Sequence, residues 1–224
     1  MSSVLVAANA SGAVLGAKLG NVVMIVDVID MSTSLESALD GGALEVYGAS
    51  PDATRAPVSL DPEGSGYQYG MRAKELETTL VLIGEPRLGT EEDRKEKMRK
   101  FLEGVSRSGA VIEAILPNIG AEVAKMEALK GKVVVAITST GGVAFEAAWV
   151  AGAPKVLIGT IARTLTKRGT EPLKASALRA VEAAREYRTG ITLVAASANS
   201  YEDVLAVQEI QKEIINLGFT QING

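Results

Sequence analysis

Short valine-rich runs alternate with helix-like segments along this 224-residue chain, and this alternation constrains the fold more than any other feature. Continuous apolar runs are typical of strands buried on both faces, as in parallel sheets covered by helices on both sides. The sequence therefore predicts an α/β fold, a three-layer α/β/α arrangement with a mostly parallel or mixed sheet, in one domain spanning 1–224. The predicted strands are 22–28, 44–47, 79–84, 110–116, 132–137, 155–158 and 191–195.

Amphipathic segments with start and stop signals predict the helices between these strands. Thr90 and Asp93 predict a capping box at the start of one of them. The segment 50–70 contains three prolines and several glycines and serines, which predicts a long loop of the kind that often forms a mobile lid. The predicted helices are 34–42, 90–103, 121–129, 143–150, 172–187 and 200–217.

A weak internal repeat appears when the chain is displaced by 110 residues. Residues 35–46 (LESALDGGALEV) then align with 145–156 (FEAAWVAGAPKV), and Glu36 coincides with Glu146. Both blocks follow a valine-rich strand and a turn rich in hydroxyl residues. The pattern predicts either an internal duplication or the general likeness of any two β–α–β units.

The chain contains no His and no Cys, which excludes several kinds of chemistry. An imidazole base, a Ser–His–Asp triad and a thiolate nucleophile are all impossible. A zinc site would need carboxylates alone, which zinc rarely accepts. A bound metal is therefore expected to be hard and oxygen-ligated, with Mg²⁺ or Mn²⁺ as first candidates.

Charge and hydropathy limit the possible partners and the location. Lys and Arg number 23 and Asp and Glu 27, so the net charge is −4, which argues against nucleic acid. We expect no membrane span, because no uncharged apolar stretch reaches 18 residues, and no signal peptide, because the N-terminus lacks a basic region. The absence of Cys fits a cytoplasmic protein. Phe145 and Trp149 could mark a homo-oligomer interface, although buried helix packing also explains them.

Acidic and hydroxyl residues lie together where the strand at 22–28 ends. Asp27 and Asp30 leave the strand, and Ser32, Thr33 and Ser34 open the next helix. Hydroxyls and backbone N–H groups at a helix N-terminus favour phosphate, and carboxylates at a strand end can hold Mg²⁺. The alternative is that the three hydroxyl residues only cap the helix.

A second turn of similar character follows the strand at 132–137. Small residues and glycines in such a turn let backbone N–H groups approach an anion. Ligands of parallel α/β sheets bind beyond the carboxyl ends of the strands, so the two turns are expected to contribute to one site. The alternative is an ordinary capped turn. The residues of this turn are Thr138, Ser139, Thr140, Gly141 and Gly142.

Two further segments lie near predicted strand ends. Ser200 and Asp203 are explained best as a capping box, while Glu202 could face the site. Asn118 precedes a predicted helix, where a turn role is more common than catalysis.

Four blocks of the chain, residues 22–46, 116–148, 151–160 and 191–210, resemble in order the segments of the 2-phosphosulfolactate phosphatase family. Residues 22–46 resemble the family's V-V-I-D-V-L-R-A-T-T-T opening, and residues 116–148 resemble its D-L-G-N-S-P and T-T-T-N-G-T segments. Residues 151–160 and 191–210 resemble its last two blocks. The resemblance implies a three-layer α/β fold and a magnesium-dependent phosphatase that converts 2-phospho-3-sulfolactate to 3-sulfolactate in coenzyme M biosynthesis.

The resemblance also implies which residues would form the site. Asp27 matches the family's strand-end aspartate, and Glu202 and Asp203 match its Glu-Asp pair. Thr33, Ser34 and residues 138–140 match its threonine runs. The chain departs from the family at Asp30, which replaces an arginine, at Gly141, which replaces an asparagine, and at 118–123.

The sequence thus predicts a magnesium-dependent phosphatase acting on a small phosphate monoester. Asp27 and Asp30 are the candidate catalytic residues, and together with Glu202 the candidate Mg²⁺ ligands. Water activated by the metal, or an aspartyl-phosphate route, would provide the nucleophile. The alternative is a diverged, non-catalytic protein on the same fold that binds a small anion or metabolite. The predicted phosphate-binding residues are Ser32, Thr33, Ser34, Thr138, Ser139, Thr140, Gly141 and Gly142.

Overall fold

A computed structural model describes residues 3–125 and 129–221 of the chain. The strands are β1 (Val4–Ala8), β2 (Val22–Val26), β3 (Glu45–Ala49), β4 (Leu80–Gly84), β5 (Ile112–Pro117), β6 (Val133–Ile137), β7 (Val156–Gly159) and β8 (Ile191–Ala195). The helices are α1 (Asn9–Lys18), α2 (Met31–Asp40), α3 (Pro62–Glu75), α4 (Glu91–Lys97), α5 (Arg99–Ser108), α6 (Gly141–Val150), α7 (Glu171–Tyr187) and α8 (Tyr201–Asn216), with a 3-10 helix at Gly120–Lys125.

The strands form two four-stranded sheets, and every strand pair is parallel. The first sheet has the order β1-β8-β2-β7 and the second the order β3-β6-β4-β5. The central strands of both sheets are fully buried, which explains their unbroken apolar sequences. The prediction of a parallel α/β architecture is confirmed.

Helices cover both faces of each sheet. On one face of the first sheet, α7 and α8 pack against β2 and β8, and on one face of the second sheet α3 and α5 pack against β4 and β6. Helices α1, α2 and α6 share a core with residues of both sheets, in which Met31 and Phe145 are buried. Each sheet is therefore the middle layer of an α/β/α arrangement.

The two halves of the chain have equivalent topologies. Read from its other edge, the second sheet has the order β5-β4-β6-β3. At each position in this order, the strand number differs by four from that of the strand at the same position in the first sheet, so that β5 corresponds to β1, β4 to β8, β6 to β2 and β3 to β7. Helices α2 and α6 begin 110 residues apart, at Met31 and Gly141, and have the same length. The first half of the chain contributes β1 and β2 to the first sheet and β3 and β4 to the second. The second half contributes β7 and β8 to the first sheet and β5 and β6 to the second, so each half is part of both sheets. This correspondence supports the predicted internal duplication.

The predicted loop at 50–70 is wrong from Pro62 onward, where α3 begins. Asp61 caps this helix by accepting a hydrogen bond from the Gly64 N–H, and Pro62 occupies its first turn. Gly66 serves close helix packing, since a Cβ there would approach the Phe101 carbonyl oxygen to 2.1 Å. The true loop spans residues 50–61, and the buried Glu146 carboxylate accepts hydrogen bonds from N–H groups at both of its ends.

Other element boundaries also differ from those predicted. Helix α2 begins at Met31, three residues early, and the helix predicted at 90–103 is two helices that meet at Met98. The capping box of Thr90 and Asp93 is confirmed. The helix predicted at 121–129 is a 3-10 helix ending at Lys125, and residues 126–128 lie outside the described residues.

The sequence did not predict β1 and α1. Helix α1 has almost no amphipathic pattern that would predict it. Its residues Gly12 and Gly16 let it approach the first sheet closely. A Cβ on Gly16 would lie 2.8 Å from the Thr192 side chain. Within residues 3–125 and 129–221, no helix has the length and apolar character needed to cross a membrane.

Candidate functional site

The two predicted turns meet at the Asp27 carboxylate. Asp27 follows β2 and is buried, and its Oδ2 accepts hydrogen bonds from the Thr140 hydroxyl (3.0 Å) and the Gly141 N–H (2.8 Å) at the start of α6. Its Oδ1 accepts a hydrogen bond from the Asp30 N–H (3.0 Å). The carboxylate therefore connects the first turns of α2 and α6, although β2 and β6 belong to different sheets.

The residues that precede α2 and α6 have the same unusual backbone conformation. Asp30 has φ −108° and ψ −88°, and Thr140 has φ −120° and ψ −79°. Neither side chain caps its own helix. The Asp27 carboxylate instead lies at the N-terminus of α6, where the helix dipole favours a negative charge.

Burial raises the pKa of the Asp27 carboxyl group, and the nearby charge of Asp30 raises it further. The N–H groups of Asp30 and Gly141 and the Thr140 hydroxyl oppose this rise, because they stabilise the charged form. Asp27 is thus easier to protonate than an exposed aspartate.

The three hydroxyl groups of α2 contact protein groups. The Ser32 hydroxyl donates to the Ile25 carbonyl (3.0 Å) and accepts from the Asp27 N–H. The Thr33 hydroxyl donates to the Val28 carbonyl (2.5 Å), and the Ser34 hydroxyl lies 2.5 Å from Asn118 Oδ1. All three side chains are buried, and their hydrogen bonds hold the turn in place.

The hydroxyl residues of the second turn have different environments. The buried Thr138 hydroxyl accepts a hydrogen bond from the Gly142 N–H (2.8 Å), which holds the turn in place. Gly142 itself packs so tightly that a Cβ would approach the Ala49 carbonyl oxygen to 2.1 Å. Ser139, in contrast, is exposed and borders a cavity.

That cavity has a volume of about 660 Å³ and lies beyond β4 and β6. Its wall includes the acidic residue Glu85, the hydroxyl residue Ser139 and the cationic residues Lys97 and Arg99. Residues 51–54 of the loop form another part of the wall. The lining residues are Pro51, Asp52, Ala53, Thr54, Glu85, Pro86, Asp93, Glu96, Lys97, Met98, Arg99, Ile137 and Ser139.

Two charged residues of this region, Arg87 and Glu85, were not predicted from sequence. Arg87 forms an ion pair with Asp30, so a guanidinium group lies near the position where the resembled family has an arginine. Burial raises the pKa of Glu85, and the charges of Asp30 and Asp27 raise it further. Burial likewise raises the pKa of Asp203 to about 6, with a contribution from the charge of Asp27.

Asp203 approaches the strand end, whereas Glu202 does not. Asp203 Oδ1 accepts a hydrogen bond from the Val28 N–H (2.9 Å), directly after β2. Ser200 caps α8 by accepting from the Asp203 N–H, but the Asp203 carboxylate does not complete the predicted capping box. Glu202 is exposed and accepts a hydrogen bond from the Ser200 hydroxyl.

The carboxylates predicted to bind Mg²⁺ do not form a metal site. Both oxygens of Asp27 accept hydrogen bonds, Asp30 is paired with Arg87, and Glu202 lies exposed on α8. Over the described ranges 3–125 and 129–221, no three acidic side chains are grouped so that they could hold a metal ion. The donor set therefore does not fit a resident Mg²⁺.

We expect the free energy of unfolding to decrease as the pH rises from 5 to 7, and the variant Asp203→Asn to weaken this dependence. The folded pKa of Asp203 is about 6, above the ordinary value of 3.8, so the folded state binds its proton more tightly. The stabilisation is present below the unfolded pKa and is lost as the pH rises through the folded one. Urea unfolding at both pH values measures it.

The matched control for that measurement is Glu202→Gln on the same helix turn. Because Glu202 is exposed, we expect this variant to keep the wild-type pH dependence. If the free energy of unfolding changed with pH equally in wild type and in Asp203→Asn, Asp203 would not be the group that titrates.

The chain matches no protein-family model, and no curated protein is significantly similar to it.

Proposed function

We propose that the protein binds a small phosphate monoester beyond β4 and β6 and hydrolyses it. The observation that carries this proposal is the cavity of about 660 Å³ bordered by Glu85, whose pKa is raised, and by Ser139, Lys97 and Arg99. Perturbed carboxyl groups in a cleft are typical of sites that transfer protons. Cationic and hydroxyl groups in the same wall suit a phosphate ester.

The sequence resemblance supports an organic phosphate as the substrate class. In this proposal Asp27 is a positioning residue: its carboxylate holds the first turn of α6, and thereby Ser139, at the border of the cavity. The cytoplasmic location rests on the absence of Cys, and the link to 2-phospho-3-sulfolactate and coenzyme M rests on that resemblance; both are part of the proposal.

The second candidate function is binding of a small anion without turnover. It is favoured by the geometry of Asp27, whose two oxygens accept three hydrogen bonds from Asp30, Thr140 and Gly141. A carboxylate held in this way is poorly available as a nucleophile or a metal anchor. In this case the cavity would hold the ligand, and no bond would be broken.

A panel of phosphate monoesters, assayed between pH 5 and 8, tests the two candidates. One arm contains Mg²⁺ and another EDTA, because the sequence predicts magnesium dependence while the described carboxylates do not form a site for the ion. Phosphate release at enzyme-like rates supports hydrolysis. Binding of esters by calorimetry, with no release in either arm, supports the second candidate and refutes the first.

The variant Asp27→Asn is expected to lower turnover by roughly 100-fold, because an amide has one accepting oxygen and cannot accept hydrogen bonds from the Asp30 N–H on one side and from the α6 turn on the other. The matched control is Glu103→Gln, which changes an exposed acid on α5 and should retain wild-type turnover. Circular dichroism verifies that both variants are folded. Equal turnover by Asp27→Asn and wild type would remove Asp27 from the mechanism.

A further inference from the structure

We infer that Glu85 is the proton donor to the leaving group and that Lys97 and Arg99 bind the anionic substrate in the same cavity. This inference rests on the proposed phosphatase function and assigns residues that the sequence did not single out. The first reason is position. Glu85 directly follows β4, at the sheet edge where parallel α/β folds bind their ligands, and it is one of the residues that line the cavity.

The second reason is the distribution of charge around Glu85. Its partial burial opposes its ionisation most, and the negative charges of Asp30 and Asp27, both on the β2–α2 segment, oppose it further. The positive charges of Arg87, from its own loop, and Lys97, from the end of α4, favour ionisation but do not outweigh them. The carboxyl group therefore keeps its proton at a higher pH than an ordinary glutamate, which a general acid requires.

The other charged residues of the cavity wall either accept hydrogen bonds from nearby groups or are exposed. Asp93 is engaged in the capping box of α4, and Asp52 accepts a hydrogen bond from the Lys100 N–H at the start of α5. Glu96 and Arg99 are exposed at the cavity wall. Glu85 is therefore the cavity acid that combines partial burial with a raised pKa, and it shares the cavity wall with Ser139 and Lys97.

The proton transfer balances without a further reactant. Water attacks phosphorus and forms a new P–O bond, the bond between phosphorus and the ester oxygen breaks, and Glu85 gives its proton to that oxygen. The products are an alcohol and phosphate. One proton of the attacking water returns to Glu85, and the other remains on the phosphate. Because a strongly basic alkoxide needs this proton most, the effect of Glu85 should depend on the leaving group.

The test compares Glu85→Gln with wild type on two substrates. We expect kcat for glycerol phosphate, which has an alkoxide leaving group, to fall by about 100-fold. For p-nitrophenyl phosphate, which has a stable phenolate leaving group, the loss should be less than about tenfold. The decline of wild-type kcat with rising pH should disappear in the variant. The matched control is Glu96→Gln, which removes another acid of the cavity wall and should not show this substrate dependence.

A second pair of variants tests the anion-binding role. Lys97→Met combined with Arg99→Met should raise KM by about tenfold with little change in kcat. The reason is that these two cations would bind the substrate and the transition state equally strongly. Lys100→Met, which changes a neighbouring lysine outside the cavity wall, should leave KM unchanged.

The outcomes separate this inference from the function on which it rests. Equal losses on both substrates, or none on either, would overturn the role of Glu85 while the phosphatase function stands. An unchanged KM in the double variant would overturn the role of Lys97 and Arg99. No phosphate release by the wild-type protein on any ester would overturn the proposed function itself.

Discussion

Replacing Arg179 by methionine is expected to lower the free energy of unfolding by about 3–5 kcal/mol, because the change leaves a buried charge without a partner. The Arg179 guanidinium binds both oxygens of Glu36 at 2.6 and 2.8 Å, and the Glu36 side chain is only 2% exposed. Arg179 also donates to the Ile158 carbonyl. The pair thereby connects α7, α2 and β7. Chemical unfolding in urea measures the loss.

Two controls show whether the uncompensated charge is the cause. In Glu36→Gln/Arg179→Met no unpaired charge remains, so this double variant should be more stable than Arg179→Met alone. Arg72→Met breaks a similar two-oxygen pair with Glu45, but Arg72 is 41% exposed, and the loss should be clearly smaller than for Arg179→Met. A loss of only 1 kcal/mol for Arg179→Met would contradict the expected cost.

Glu36 also shows what the sequence repeat could and could not predict. The alignment of Glu36 with Glu146 identified two equivalent acids, and the structure buries both of them. Their partners differ, since Glu36 binds Arg179 while Glu146 accepts N–H groups of Ser50 and Asp61. A partner more than 80 residues away leaves no local pattern, so the repeat predicted the positions but not the interactions.

The same reasoning applies to the candidate site. The turn residues around Asp27 and Thr140 follow strong valine-rich strands, so their place at strand ends was predictable. Glu85 and Arg87 lie after another strand, in a segment without a recognisable motif, and reach the site only through the order of strands in the second sheet. Sequence periodicity predicts strands, but it does not predict which strands become neighbours.

The glycines of α3 explain why the sequence of this helix predicts a loop. Glycine is less favourable than alanine in a helix by about 1 kcal/mol, so a segment that contains Gly64, Gly66 and Gly70 is expected to be irregular. In the structure Gly66 and Gly70 lie against α5, where a Cβ would approach Phe101 and Ser108 to 2.1 Å. The low helix propensity of these glycines is the cost of packing α3 closely against α5. This contact can be inferred only when the positions of both helices are known.

The glycine on the other side of this contact leads to the second large expected effect. Replacing Gly104 by alanine should lower the free energy of unfolding by more than about 4 kcal/mol, although alanine is the better helix former. A Cβ at this position would lie 1.9 Å from the Glu63 carbonyl oxygen and 2.7 Å from the Tyr67 N atom. Both are backbone atoms of α3, so no side chain can rotate away, and the helices must separate.

Separation of α3 from α5 would open the core that both helices form over the second sheet. Tyr69 and Phe101 are fully buried there, and a shift that removes the clash would also loosen their packing. The matched control is Gly41→Ala at the end of α2, where φ is −75° and the nearest atom to a new Cβ is 3.3 Å away. We expect this control to change stability by less than about 1 kcal/mol. Urea unfolding of both variants makes the comparison, and a Gly104→Ala protein as stable as the control would show that α3 and α5 do not pack backbone to backbone.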